Sequence, residues 1–417
     1  MLLFFCNVKN QDSYVKISLE KRGDILYNRS VGAMGNAGEQ KRANDENHNA
    51  YGKENRKMKT LLLGDVCPHT SSYQKFKNKE IDRIFGDVLP IFEGRDFIAV
   101  NLECALTETD GKIKKFGPAL AAPLETAEVL KTVGVNLCGL SNNHIFDLGT
   151  DGMRDTLAAL SAAGLDFTGF GKDETDARKN YFFEHDGERI AVVAVCEHEF
   201  SYALPDRMGA RGYDPYETME DIRAAKAEAD RVIVMYHGGK EFSLYPSPRL
   251  YKLCRAMVKN GADVVLCQHS HCIGCYEKYE GGHILYGQGN FHFMDPDPHA
   301  SWYTELAVEY DTKTNEISFI PIRSTDDDIM LAKGADKDEI MAGFEKRCAE
   351  LKSGAWREGW HAFCESVRDR YTEAVRNAYA DGADETKNQY FAHLLDCEAH
   401  TDVWREIFPT WNMTNCK

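Results

Sequence analysis

Long apolar runs are missing from this 417-residue chain: no segment approaches the ~20 consecutive apolar residues that cross a bilayer. The opening MLLFFCNVKN has no basic residue before its short apolar run and no small-residue cleavage site after it. Neither a secretory leader nor stable membrane insertion is expected, and a cytoplasmic location is. Positive charge is also scarce, with 50 Lys and Arg against 66 Asp and Glu and a formal net charge of −16. No broad basic surface remains to displace counterions from phosphates, which argues against nucleic acid and anionic membrane as partners. A small or polymeric anionic substrate would need positive charge supplied locally, as a bound metal supplies it. The 13 cysteines are odd in number and several sit inside apolar runs, so they form no dense disulfide framework and read as reduced thiols. Familiar nucleophile and nucleotide signatures are absent as well. Ser270 stands between two histidines and Ser141 three residues before one, but neither lies in a G-x-S-x-G elbow, and no P-loop or G-x-G-x-x-G fingerprint follows a strand.

What is present falls into three parts. Residues 36–59, NAGEQKRANDENHNAYGKENRKMK, hold almost no large apolar side chain and cannot offset the entropy of ordering. Residues 1–57 are therefore expected to be a disordered extension, with Met58, just before the run TLLLGD, as a candidate translation start. Residues 58–325 alternate apolar, β-branched runs (TLLLG, FIAVN, VNLCGL, ERIAVVAV, RVIVMYH, DVVLCQ) with helix-like segments, several of which end in glycine. Continuous apolar strands with crossover helices imply an α/β domain whose sheet is covered on both faces. Strands without intervening helices follow and suggest an antiparallel part of the same core. Residues 326–417 turn charged and helical. There Trp356, Trp360, Phe363, Val367, Tyr371 and Val375 recur at three- and four-residue spacing, one apolar stripe of a helix packed on the core.

Chemistry collects at strand ends. Five strand candidates finish in residues that bind metals or move protons: Asp65; Asn101 and Glu103; Asn142, Asn143 and His144; His237 and Glu241; His269 and His271. Taken singly, each is ordinary loop chemistry. Carboxyl ends of parallel strands share one edge, however, and ligand sites form in the crevice there, so the repetition points to one cleft. Carboxylate, amide oxygen and imidazole together suit Mn, Fe or Zn, whereas magnesium and calcium prefer all-oxygen sets. Two carboxylates, one Asn and three His are too many for one tetrahedral ion and sufficient for two. A pair of ions can clamp the attacking and leaving oxygens of a displacement at phosphorus, with His144 free of the metals as general acid.

At these residues the sequence resembles a known family. GDVCP, NLE, SNNHIFDLG, TLAALSAAGLDFTGFGK, YHGGKEF, QHSH and YGQGNF follow the order and approximate spacing of the CapA proteins of capsule and poly-γ-glutamate synthesis, which have a calcineurin-like metallophosphatase fold. The resemblance covers roughly residues 60–295. It implies a mixed β-sandwich flanked by helices; the C-terminal helices, beyond its reach, are expected as an appendage from their periodicity. It also implies Asp65 and His271 at a first metal, Glu103 bridging both metals, and Asn143, His237 and His269 at a second, with His144 as catalytic acid. Asp147 is expected to orient His144, and Glu241 and Asn290 match family positions without an assigned role. Cys67 departs from the pattern, since ordinary metallophosphatases carry histidine there; this leaves the first metal weak, thiolate-assisted or absent.

Two functions remain open on these grounds: a metal-dependent phosphoester hydrolase, and a non-catalytic accessory protein that binds an anionic polymer or a synthase partner. A minor alternative makes DVVLCQHSHCIGC a structural zinc site drawn from Cys267, His269, His271, Cys272 and Cys275, although the paired spacing of common zinc knuckles is lacking. The loop TETDGKIKKFGP places Lys112, Lys114 and Lys115 within possible reach of the cleft, a solvated charged loop being the plainer expectation.

Overall fold

The structure, a computed structural model, describes residues 58–380, 382 and 384–409. The extension expected over 1–57 lies outside the described residues. The apolar runs become strands, but of two sheets rather than one. The first is eight-stranded, in the order Ile329–Leu331, Glu316–Ser324, Thr304–Asp311, Lys59–Val66, Phe97–Leu102, Leu137–Gly139, Asp166–Thr168, with Asn290–His292 paired to Lys59–Val66 outside this path. The second has six strands, in the order Tyr276–Tyr279, Gly282–Leu285, Val264–Gln268, Arg231–His237, Glu188–Cys196, Tyr181–His185. In each sheet the central strands that end in the chemical motifs run parallel to one another.

Side-chain alternation explains why both sheets are apolar throughout. Leu62, Ala99 and Leu137 of the first sheet meet Val192, Ala194, Ile233, Met235 and Leu266 of the second in a shared inner core. Their neighbours Leu61, Leu63, Ile98 and Val100 face outward onto helices that include Gly149–Ala163, and Val193, Val195, Val232 and Val234 onto Pro248–Lys259. Each fully buried Val, Leu or Ile contributes about 1.5–3 kcal/mol relative to exposure. The expected β-sandwich flanked by helices is thus present.

The sheet also reaches past residue 325. Ile329–Leu331 pairs antiparallel with Glu316–Ser324, and the helices begin only at Ala335; a three-residue strand carries too little alternation to be read from sequence. On the helix Trp356–Ala378 the aromatic stripe is buried at Trp356, Trp360 and Tyr371. Trp356 packs into the outer core of the second sheet. Trp360 and Tyr371 pack instead with Leu394, Val403 and Ile407 of the last two helices, Glu385–Asp396 and Glu398–Ile407. No helix among the described residues is long and apolar enough to cross a membrane.

Candidate metal centre

A β-bulge aims the first carboxylate. Leu62 is opposite Ala99 while Asp65 is opposite Asn101, so Lys59–Val66 carries one extra residue and bends at Gly64. The Gly64 N–H donates to the buried Glu305 Oε1 at 2.6 Å, and a Cβ on Gly64 would lie 2.3 Å from the Gly289 carbonyl. Gly289 itself has φ +90° and a virtual Cβ 2.2 Å from the Thr304 carbonyl. Only glycine fits either position. Asp65 emerges from the bulge fully buried, with Oδ1 accepting from Asn101 Nδ2 at 2.7 Å and Oδ2 from the His269 backbone N–H at 3.1 Å.

The strand ends of both sheets converge on this carboxylate. Asp65, Glu103 and His237 offer ligand atoms within 4.8 Å of one another, and so do Glu103, His269 and His271. Glu103 is common to both groups. His237 Nε2 lies 3.3 Å from Glu103 Oε1 and 2.9 Å from Asn143 Oδ1, while His271 Nδ1 lies 3.8 Å from Asp65 Oδ2. These groupings divide the histidines differently from the resemblance, which puts His237 and His269 together and His271 with Asp65; the distances leave both divisions within reach. His269 and His271 have φ of 79° and 52°, so the segment after Val264–Gln268 is a turn in the left-handed region. Such positions cost on the order of 1–3 kcal/mol each for non-glycine residues and cluster at functional sites.

The donor set fits a divalent ion on two observations. Both Glu103 carboxylate oxygens and His269 Nδ1 are buried without a hydrogen-bond partner, a costly state for polar groups unless something else satisfies them. The charges in the bare protein are also unbalanced. Burial, with the Glu103 charge behind it, pushes Asp65 up to about 7, and burial pushes Glu103 well above the carboxylate range. Burial and neighbouring histidines hold His237 and His269 down at about 3. Clustered carboxylates that resist ionising beside neutral imidazoles are what a cation would reconcile.

His144 stands at the edge, its side chain 12% exposed. Its Nδ1 is 2.6 Å from Asp147 Oδ2, and Asp147 Oδ2 also accepts from the Leu120 N–H at 2.9 Å. Burial and then the Lys115 charge lower the proton affinity of His144. Lys115 is no solvated loop residue: it is 2% exposed, with Nζ 2.6 Å from Asp147 Oδ1. Lys114, 70% exposed, pairs with Glu385 instead.

The remaining candidates lie around the cluster. Asn290 Oδ1 is 2.8 Å from His271 Nδ1, orienting that ring. Glu241 pairs with Lys240 at 2.8 Å and belongs to neither ligand group. Cys67 is buried in the apolar core beside Cys104, burial pushes its thiol well up, and it belongs to neither ligand group. Cys267, Cys272 and Cys275 are likewise buried and free, and none of the convergent ligand groups among the described residues contains them, which removes the support for a zinc knuckle.

Two contributors, Glu199 and His393, escape the strand-end list, and Asn101, already on it, gains a role. Asn101 Nδ2 bridges Asp65 Oδ1 and His237 Nδ1, at 2.7 and 3.1 Å. Glu199 accepts from Asn143 Nδ2 at 2.7 Å; it follows the strand Glu188–Cys196, so the same strand-end rule reaches it. His393, on Glu385–Asp396, stacks near Phe116 and Phe200 with centroids at 5.5 and 5.3 Å. Nothing local in sequence marks it.

Similarity to known proteins agrees with the motifs. The chain is 32% identical over 246 residues to the PGA biosynthesis protein CapA of Bacillus subtilis, covering 57% of this chain and 63% of that one. It is 29% identical over 250 residues to the capsule biosynthesis protein CapA of Bacillus anthracis, covering 58% and 61%. It thus spans less than two thirds of the length of either relative. Among solved structures, a 5'-nucleotidase of Candida albicans superposes with a TM-score of 0.38 at 10% identity, covering 64% of this chain and 52% of that one. The family match runs over residues 59–295, more than half of the chain and every strand end described above, and by it this protein belongs to the bacterial capsule synthesis protein family PGA_cap.

Proposed function

We propose that the protein is a divalent-metal-dependent hydrolase of a phosphate ester, built around two ions of the Mn, Fe or Zn type. The observation that carries this reading is Glu103, shared by two ligand groups with both carboxylate oxygens buried and without a geometric hydrogen bond. Asp65, Glu103, Asn143, His237, His269 and His271 would hold the ions. When bound, the ions supply Lewis-acid polarisation of the phosphoryl group and activation of a water.

The chain's own residues do the rest. Asp147 holds His144 by Nδ1 and leaves Nε2 to pass a proton to the leaving oxygen. Burial and Lys115 lower the proton affinity of His144, so the imidazolium releases its proton readily once an incoming anion has favoured its formation. Lys115, beside His144 at 3.2 Å, adds positive charge for an anionic substrate in an otherwise acidic protein. Asn101 keeps Asp65 and His237 in place, and burial of the cluster excludes bulk water.

A second reading is a non-catalytic accessory role in capsule or poly-γ-glutamate synthesis, in which the same centre binds an anionic polymer or a protein partner. The names of the Bacillus relatives favour it. Elemental analysis of the purified protein, with a phosphatase and phosphodiesterase screen under Mn²⁺ and Zn²⁺, decides between them. Turnover that disappears in His144→Ala at unchanged metal content supports the hydrolase. Bound metal without turnover on any substrate supports the accessory role, and no bound metal at any concentration removes both.

A further inference from the structure

Beside the Glu103-centred cluster lies a second convergence, formed by the core and the last two helices. Glu199, His393 and His400 offer ligand atoms within 4.8 Å of one another. Glu199 follows the strand Glu188–Cys196, His393 sits on Glu385–Asp396 and His400 on Glu398–Ile407. We propose that these three residues form a further zinc-type metal site at the junction of the PGA_cap domain and the C-terminal helices.

The geometry matches such a site closely. The two Nε2 atoms face each other at 3.0 Å. Two imidazole nitrogens bound tetrahedrally at zinc distances are about 3.4 Å apart, so a few tenths of an ångström of side-chain adjustment admits an ion. His400 contacts the Tyr371 hydroxyl through Nδ1 at 2.5 Å, the orienting partner on the far nitrogen that metal-ligating histidines characteristically have. The His393 ring is fixed between Phe116 and Phe200. A hydrogen bond between the two rings would account for their contact alone; the buried Glu199 carboxylate, held by Asn143, brings a third ligand atom to both.

An entry path is present too. A cavity of about 410 Å³, lined in part by Lys114, Lys115, Phe116, Phe200 and His393, reaches one of the three ligands, His393. Three protein ligands leave a fourth position on a tetrahedral ion for an exogenous ligand. Glu199 further ties the site to the cluster: its Oε2 accepts from Asn143 Nδ2 at 2.7 Å and its Oε1 is 3.7 Å from His269 Nε2. His393 and His400 lie beyond residue 295, outside the family match. The site is a property of this chain's C-terminal helices and does not depend on the hydrolase reading.

Zinc counting on the full-length chain tests it. Metal-stripped protein is loaded with Zn²⁺, gel-filtered and analysed by mass spectrometry for zinc. His393→Ala is expected to hold one equivalent fewer than wild type, with its far-ultraviolet circular dichroism unchanged. The double variant Asp65→Asn/Glu103→Gln is expected to retain one, which separates this site from the cluster. Crystals loaded with zinc should give an anomalous peak between the two Nε2 atoms. Equal zinc in wild type and His393→Ala, or no peak between those atoms while the cluster shows its own, would overturn the proposal and leave a hydrogen-bonded histidine pair.

Discussion

At the scale of single residues, the decisive ones are polar groups in places that oppose their charge. Glu103, buried with neither oxygen in a hydrogen bond, burdens the metal-free protein, so Glu103→Gln is expected to raise its melting temperature while abolishing the increment that Mn²⁺ or Zn²⁺ adds. Calorimetry with and without metal reads both signs. His144→Ala should cost roughly 10²- to 10⁴-fold in turnover at unchanged metal content. His283, away from the centre, gives a pH prediction. Its Nδ1 contacts the Tyr276 hydroxyl at 2.8 Å and its Nε2 the Asn315 carbonyl at 3.0 Å, and burial lowers it from the ordinary value of 6.5. The unfolded chain therefore takes up this proton first. Stability is unaffected above about pH 6.5 and declines as the pH falls from there through the lowered value. Melting temperatures between about pH 7.5 and about pH 5 should fall less for His283→Gln than for wild type. Most residues of the centre were legible as polar groups at the ends of apolar runs. His393 and His400 were not, because a histidine on a surface helix looks the same whether it faces water or a buried carboxylate.

At the scale of elements, the strands declared themselves through continuous apolar runs, while their division between two sheets did not. A strand covered on both faces reads the same in either layer, and only the alternation of Leu61 and Leu63 against Leu62, once seen, assigns the faces. The turn at His269 and His271 was equally hidden. Two-residue spacing suggests extended chain, whereas the backbone takes left-handed values at both positions. The bulge that presents Asp65 depends on close approach of Gly64 and Gly289. Gly289→Ala is expected to destabilise the fold by at least ~2 kcal/mol, since a Cβ there meets main chain at an unfavourable φ. Denaturant titration measures the loss, and metal affinity should fall with it as Asp65 shifts.

At the scale of the whole molecule, the C-terminal helices form part of the core packing as well as the edge of the centre. Trp356 fills the outer core of the second sheet, and Asp402 holds Arg249 of Pro248–Lys259 at 2.8 Å. A chain cut after Lys333 is expected to aggregate through the apolar surface it uncovers around Leu250 and Leu253, which light scattering would register. The sandwich has a further consequence, in time rather than in energy. Asp65, Glu103 and Asn143 come from the first sheet, and His237, His269 and His271 from the second, with Asp65 and His269 lying 204 positions apart. Ions held between these two sets would rivet the layers together, closing only after the sheets have docked. Chelation should therefore speed unfolding strongly and leave the refolding rate almost unchanged, a kinetic asymmetry that stopped-flow measurements with and without metal would resolve.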